Sequence, residues 1–308
     1  GERGVKPGQS HQGVKARERR SQSSSGLFAE CYQPRSMRTA AGLLLGAVGL
    51  WLSPLVAPSP RPRVVLVTGA SRGIGKAIAQ KFASQGDHVI VNYRENRTQA
   101  DEVVEELEGE GHCVHQCDIS NSDQVLQMVN QVSERYGRLD VLVNNAAVYE
   151  EVPVLRTSYQ DWCSAWQHAV GTNLIGPANL CWCAANLMAR GGGGSIVSVS
   201  SRGAFRGEPD AAAYGASKAA LNALSQSLAK ALGHANIGVS VVAPGFVETE
   251  MAAEVLQGPR GDFIRHESPF KRVATPEEVA HAVVFLANEE SKWLSGAVVD
   301  CNGASYVH

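Results

Sequence analysis

The apolar run Val64-Val65-Leu66-Val67 leads directly into Thr68-Gly-Ala-Ser-Arg-Gly-Ile-Gly75, and a helical pattern opens on the end of that loop. No other stretch restricts the fold as tightly. An apolar run without polar alternation reads as a strand buried on both faces, and such strands belong to parallel sheets covered by helices. A glycine-rich turn between that strand and a helix can bring an anion to the helix N-terminus. Gly69 allows the tight turn. Gly73 and Gly75 let a pyrophosphate approach the backbone, where free N–H groups and the helix dipole favour negative charge. Thr68, Ser71, Arg72 and Ile74 complete the loop as candidate contacts for such a nucleotide.

The alternation continues to the end of the chain. Strands are expected over 64–67, 88–93, 113–117, 141–143, 196–199, 239–242 and 297–300. Helices are expected over 74–85, 99–110, 123–136, 158–167, 174–189, 213–232 and 276–287. Strands alternating with helices imply right-handed βαβ units. The expected fold class is therefore α/β, a Rossmann-type doubly wound parallel sheet in a single catalytic domain over residues 63–308. No internal repeat and no second folding unit stand out.

Residues 1–62 lack this pattern and read as a targeting or disordered N-terminal extension. Residues 1–63 carry ten Lys/Arg and three Asp/Glu, whereas the whole chain has a net charge of −2. The body is thus acidic, which excludes nucleic acid as a partner, because phosphate contacts need clustered cations. Residues 1–36 are rich in Arg, Ser, Gly and Gln and read as disordered. An uncharged run over 40–52 follows Met37 and Arg38, and prolines at 54, 58, 60 and 62 break it. The Arg/Ser-rich, acid-poor leader resembles an organellar transit peptide, with a plastid favoured. The alternatives are a cytoplasmic protein, or a secretory one if translation starts at Met37 and residues 1–36 lie upstream of the true start. The apolar run is shorter than the ~20 residues a bilayer span needs. Seven scattered cysteines, an odd number, make no disulfide framework, and none has metal-ligand spacing, so no metal is expected.

Tyr214-Gly-Ala-Ser-Lys218 carries the chemistry. The spacing i, i+4 in an Ala-rich helix puts phenol and ammonium on one face. A phenol ionises near pH ~10. A fixed cation beside it favours the phenolate and is expected to lower that value. The pair reads as a proton-transfer device; the competing reading is a core tyrosine with a solvated lysine. Three further motifs decide between them. Asn144-Asn145-Ala146-Ala147 follows a strand, Ser201 stands thirteen positions before Tyr214, and Pro244-Gly245 is followed by Thr249. With TGASRGIG, these resemble the short-chain dehydrogenase/reductase family, in the family's order, over residues 63–308. Ala147 departs from the family's usual glycine.

The resemblance implies the roles. Tyr214 would deliver or remove a carbonyl proton, and Ser201 would hydrogen-bond the substrate carbonyl. Lys218 would lower the phenol's pKa and bind the nicotinamide ribose, and Asn173 would hold a water in a proton relay. Asp118, taken as the end of the third strand, would contact the adenine. Asn145, Ala146, Pro244, Gly245 and Thr249 would line the cofactor. The long helices over 174–189 and 213–232 would form the four-helix dimer interface of a homotetramer.

An NAD site places an acid about 20 residues past the loop. Here Asn92-Tyr93-Arg94 offers none, so Arg72 and Arg94 are expected to pair with a 2′-phosphate, giving NADPH/NADP as cofactor. Glu95 keeps NAD possible. The loop over 247–270 is apolar at Met251, Leu256, Phe263 and Ile264 and suits a hydrophobic ketone. VVAPGFVETEM is similar to 3-oxoacyl-[acyl-carrier-protein] reductases, which implies an acyl-thioester substrate and an acyl carrier protein as partner. Arg190, Lys230 and His234 are the basic groups available for docking it, and glycines fill 191–194. The alternatives are an NAD(P)-dependent alcohol or sugar dehydrogenase and a non-catalytic NADP-binding scaffold. His234, His266 and His281 read as surface or capping residues.

Overall fold

Each strand but the last is followed by a helical segment that crosses back over the sheet, so every strand runs the same way. The computed structural model describes residue 1 and residues 61–308. It has strands β1 (Val64–Val67), β2 (His88–Tyr93), β3 (Cys113–Gln116), β4 (Val141–Asn144), β5 (Gly194–Val199), β6 (Ile237–Pro244) and β7 (Val298–Cys301). They form one sheet in the order β3-β2-β1-β4-β5-β6-β7, with every neighbouring pair parallel. This is the doubly wound Rossmann-type sheet. Strand order reverses between β1 and β4, and the crevice at that point, outside the strands' C-terminal ends, is where such folds bind ligands. The extension expected over 1–62 lies outside the described residues, save for residues 1, 61 and 62.

The helices are α1 (Gly73–Ala83), α2 (Arg97–Glu106), α3 (Ser122–Tyr136), α4 (Tyr159–Val170), α5 (Gly176–Gly191), α6 (Gly203–Arg206), α7 (Ala212–Leu232), α8 (Glu250–Gln257), α9 (Gly261–Glu267) and α10 (Pro276–Ala287). Alternate residues of β1 serve two cores. Val65 and Val67 pack with Ile78 and Phe82 of α1 and Val279 and Val283 of α10. Val64 and Leu66 pack with Met128 of α3 and Leu180 and Met188 of α5. Burial on both faces explains why the strand is apolar throughout.

Three features differ from the sequence expectation. Helix α2 starts earlier, because the Asn96 side chain accepts a hydrogen bond from Gln99 N–H as its N-cap, and it ends at Glu106 ahead of two glycines with positive φ, Gly109 and Gly111. The expected break between α4 and α5 is instead a π-helical turn, Gly171–Ile175, in which Gly176 N–H reaches back to Gly171 C=O. Pro177 follows and has no N–H for an ordinary helical bond to Asn173 C=O, which favours the irregularity. The loop over 247–270 contains α8 and α9.

Candidate active site

On the cofactor side, the sheet presents the loops after β1 and β4 next to each other. Thr68 clasps them together. Its hydroxyl donates to Val143 C=O at 3.1 Å and accepts from the Asn145 and Ala146 N–H groups at 2.9 and 3.0 Å. The Asn145 amide donates to the Thr68 and Gly69 carbonyls at 2.8 and 3.1 Å. Thr68, expected as a cofactor contact, thus has its hydroxyl engaged within the protein. Gly69 adopts φ +61°, and a Cβ there would lie 2.9 Å from Ala146 Cα, so the turn admits no side chain. Sequence reading took Asn92 only as a missing acid. It is a buried clamp whose Oδ1 accepts from Gly69 N–H at 3.2 Å and whose Nδ2 donates to His115 and Cys117 C=O.

Helix α1 begins with Arg72 as N-cap, with no side-chain cap and no acid in its first turn. Its first N–H groups are therefore available to an anion. Ser71, Arg72, Gly73 and Ile74 surround that end, and Gly75 is buried behind it. Pro244 ends β6, Gly245 N–H donates to Cys301 C=O at 3.2 Å, and the chain then carries Thr249 over to Gly73, 3.4 Å from where a Cβ would stand. Residues from both halves of the sheet thus meet at one helix N-terminus. This arrangement fits the pyrophosphate of a dinucleotide. Arg72 and Arg94 are exposed and pair with Glu250 at 3.2 Å and Glu95 at 2.9 Å. One expectation is corrected: β3 stops at Gln116, so Asp118 lies in the following turn, not at the strand end. Its Oδ1 accepts from Ser120 N–H and O–H at 2.9 and 2.7 Å, an interaction that shapes the turn.

On the catalytic side, β5 ends at Val199, and Ser200 and Ser201 follow at the strand's C-terminal edge. Ser200 is buried and donates to Lys218 C=O at 3.2 Å, which leaves Ser201 to face the site. Ser201 Oγ accepts from Gly203 N–H at 3.0 Å. Tyr214 and Lys218 stand one turn apart on α7, with the ammonium 5.8 Å from the phenol ring centroid. Lys218 is 2 % exposed, and its ammonium donates to Val199 C=O at 2.8 Å. Burial brings its pKa down to about 8. Tyr214 moves the other way from the expectation. Burial pushes the phenol above its usual value, the neighbouring Ser201 hydroxyl pulls down, and the Glu208 carboxylate pushes up. The spacing of Tyr and Lys fixes their shared face, but burial and the Glu208 carboxylate outweigh it in the direction of the shift. Tyr149, also missed by the sequence reading, meets Tyr214 edge-on at 5.1 Å between ring centroids.

Asn173 sits within the π-helical turn. Its Oδ1 accepts from Val148 N–H at 2.9 Å, and its Nδ2 donates to Val148 C=O at 3.0 Å and to Ser217 Oγ at 3.1 Å. The Asn173 side chain is thus a clasp joining the loop after β4 to α7. Ser217 in turn donates to Tyr214 C=O at 2.7 Å, so the clasp reaches the catalytic turn. A cavity of about 430 Å³ beside α8 is lined by Thr249, Glu250, Leu256 and Arg265 and includes none of Ser201, Tyr214 or Lys218. His234, His266 and His281 are exposed, and the last two accept or donate only within their own helices.

A phenol able to give up a proton, placed at the edge of a sheet whose switch point can cradle a dinucleotide, defines an oxidoreductase acting on CH–OH/C=O groups. Residues 69–303 match the family described as Enoyl-(Acyl carrier protein) reductase. The 3-oxoacyl-[acyl-carrier-protein] reductase FabG of Staphylococcus epidermidis is 34% identical over 244 residues, 79% of this chain and 98% of the relative. The 3-oxoacyl-[acyl-carrier-protein] reductase of Synechocystis sp. is 36% identical over 245 residues, 78% of this chain and 96% of the relative. A solved short-chain type dehydrogenase/reductase from Mycobacterium ulcerans superposes with a TM-score of 0.73 at 30% identity, covering 79% of this chain and 89% of that one. The chain belongs to the short-chain dehydrogenase/reductase family.

Proposed function

We propose that the protein uses NADPH to reduce a ketone to a secondary alcohol, the substrate being a 3-oxoacyl thioester or a similarly hydrophobic carbonyl. The observation that carries this reading is the placement of Ser201 at the C-terminal end of β5 beside Tyr214 and Lys218 on one face of α7, with burial favouring the neutral, proton-bearing phenol. Bound NADPH would supply the hydride. The chain's own groups do the rest. The Ser201 hydroxyl orients the substrate carbonyl against Tyr214. The Tyr214 O–H bond breaks as the carbonyl oxygen gains charge, and the proton passes to that oxygen. The phenolate left behind is steadied by the Lys218 ammonium, which would also hold the nicotinamide ribose. The Asn173 clasp keeps that turn of α7 in register with the loop after β4.

Several observations support the finer points. Arg72 and Arg94 are exposed near the end of the cofactor cradle, and no acid occupies 92–94. On the 247–270 segment, Met251 is 59% exposed and Phe263 68%, apolar surface suited to an acyl chain. Arg190, Lys230 and His234 are exposed and could receive an acidic acyl carrier protein. The relatives named as 3-oxoacyl-[acyl-carrier-protein] reductases support the same substrate class. Trp182 on α5 is 66% exposed, which supports a helix-paired homotetramer; light scattering giving a stable monomer would contradict it. Plastid delivery by residues 1–62 fits an enzyme that needs an NADPH pool, and imaging of a fluorescent fusion tests it.

The test is a panel of acetoacetyl thioesters, small ketones, alcohols and sugars, each assayed with NADPH or NADH and with their oxidised forms. Reduction of the thioesters with NADPH in preference to NADH is expected. Turnover confined to alcohols or sugars would favour the dehydrogenase reading, and no turnover at all would favour the scaffold.

A further inference from the structure

We propose that Glu208, wedged between the Ser201 loop and the turn of α7 that carries Tyr214, is a positioning residue that favours the proton-bearing form of Tyr214; this rests on Tyr214 being the proton donor. Its placement begins with local sequence. Gly207 turns the chain at φ +78°, and Glu208 folds back over α6. A Cβ on Gly203 would lie 2.5 Å from Glu208 Oε1, so the carboxylate fills the space that a side chain at 203 would need. Gly203 is the residue whose N–H holds Ser201 Oγ. The backbone and Cβ of Glu208 also lie 3.6 Å from where a Cβ on Gly215 would stand, one residue past the tyrosine. Glu208 is therefore packed between the segment of the serine and the helical turn of the phenol, with its carboxylate on the serine side.

A chain of ion pairs holds it there. Arg206 Nε donates to Glu208 Oε1 at 3.3 Å, and Arg206 Nη1 donates to Glu267 Oε1 at 2.9 Å. Arg202 is buried and donates to the other oxygen of Glu267, at the end of α9. The substrate-side helix is thus tied through two arginines to the segment that carries the catalytic serine. The Glu208 side chain is only 16% exposed, so water screens its charge poorly.

Lys218 and Tyr149 lie against the Tyr214 ring, and Ser201 and Glu208 act on its phenol from the segment between β5 and α7. Tyr149 in turn donates to Glu151 at 3.2 Å and is also pushed up by Glu208. A negative charge near a phenol disfavours its ionisation, whereas the Lys218 ammonium favours it. Glu208 is the counterweight to Lys218. Ketone reduction needs the neutral phenol, and alcohol oxidation needs the phenolate. Glu208 therefore carries reduction to higher pH and delays oxidation, while the overall equilibrium stays that of the reactants.

Glu208→Gln keeps the shape and the acceptor for Arg206 and removes the charge. The alkaline fall in NADPH-driven reduction of an acetoacetyl thioester is expected to move down by about one pH unit, a tenfold change in phenolate fraction. Arg206→Gln removes the compensating cation and is expected to move the same limb up or leave it in place. A purely structural disturbance would move both variants the same way. Tyrosinate ultraviolet absorbance, taken as the difference between each protein and its Tyr214→Phe counterpart, reads the same shifts without any substrate. An unchanged limb and an unchanged tyrosinate titration in Glu208→Gln would overturn the proposal, as would a downward shift in both variants. A parent that reduces no ketone would defeat the proposed function, while the tyrosinate titration would still decide the role of Glu208.

Discussion

Lys218→Met isolates what it costs to keep a cation in this site. The Lys218 ammonium is buried, and among the described residues its one hydrogen bond is to Val199 C=O. Burial lowers its pKa from 10.5 to about 8. Holding the charge at neutral pH then costs roughly 3 kcal/mol. Methionine has a similar unbranched length and carries no charge, so the substitution relieves that cost. Against the relief stands the Val199 carbonyl, which loses its donor at a cost of about 1–3 kcal/mol. The two nearly cancel. Lys218→Met is therefore expected to unfold within about 2 kcal/mol of the parent at neutral pH, even though it disables catalysis. The pH dependence is sharper. The folded lysine titrates near 8 and the unfolded lysine near its ordinary value. Between those values the unfolded chain binds more protons, so the parent gains stability as the pH rises, and Lys218→Met lacks this gain. Urea unfolding of both proteins across the neutral and alkaline range measures the difference. A loss above about 4 kcal/mol at neutral pH, or a difference flat with pH, would refute the reasoning.

Two further substitutions test the cofactor side. In Gly75→Ala the new Cβ would overlap the Gly69 carbonyl and lie 2.6 Å from Asn145 Nδ2. It is expected to destabilise by about 1–3 kcal/mol and to abolish the rise in melting temperature on adding NADPH; a parent-like rise would contradict the cradle. Arg94→Asp should shrink the preference for NADPH over NADH by about tenfold in equilibrium binding, the size of one charge-assisted pair lost. An unchanged ratio would remove Arg94 from cofactor selection.

The parts of the fold that were legible in the sequence are those set by local period. The VVLV strand, the glycine-rich turn and the Tyr–Lys spacing each depend on neighbours within a few residues. The parts that were not legible depend on what meets what across the sheet. Nothing local to Thr68 says that its hydroxyl also clasps the loop after β4, 77 residues on. Asn92 was read for the charge it lacks, whereas its role is to bind the Gly69 N–H and two carbonyls beside β3. Helices α8 and α9 escaped because they are short and flanked by glycines and prolines. The Tyr214 shift was misjudged because spacing reveals the nearest cation but neither the depth of burial nor the carboxylate of Glu208. An acid six residues upstream of the tyrosine was the available signal, but nothing local says which way it points.

The central claim is that Tyr214 gives the proton. Tyr214→Phe removes only the phenolic O–H and keeps the ring against Tyr149 and Lys218. Steady-state reduction of an acetoacetyl thioester should fall at least ~10²-fold, the usual cost of a lost general acid. NADPH affinity, measured by fluorescence titration of the same preparation, should be unchanged. Full turnover by Tyr214→Phe on a substrate that the parent reduces would contradict the account.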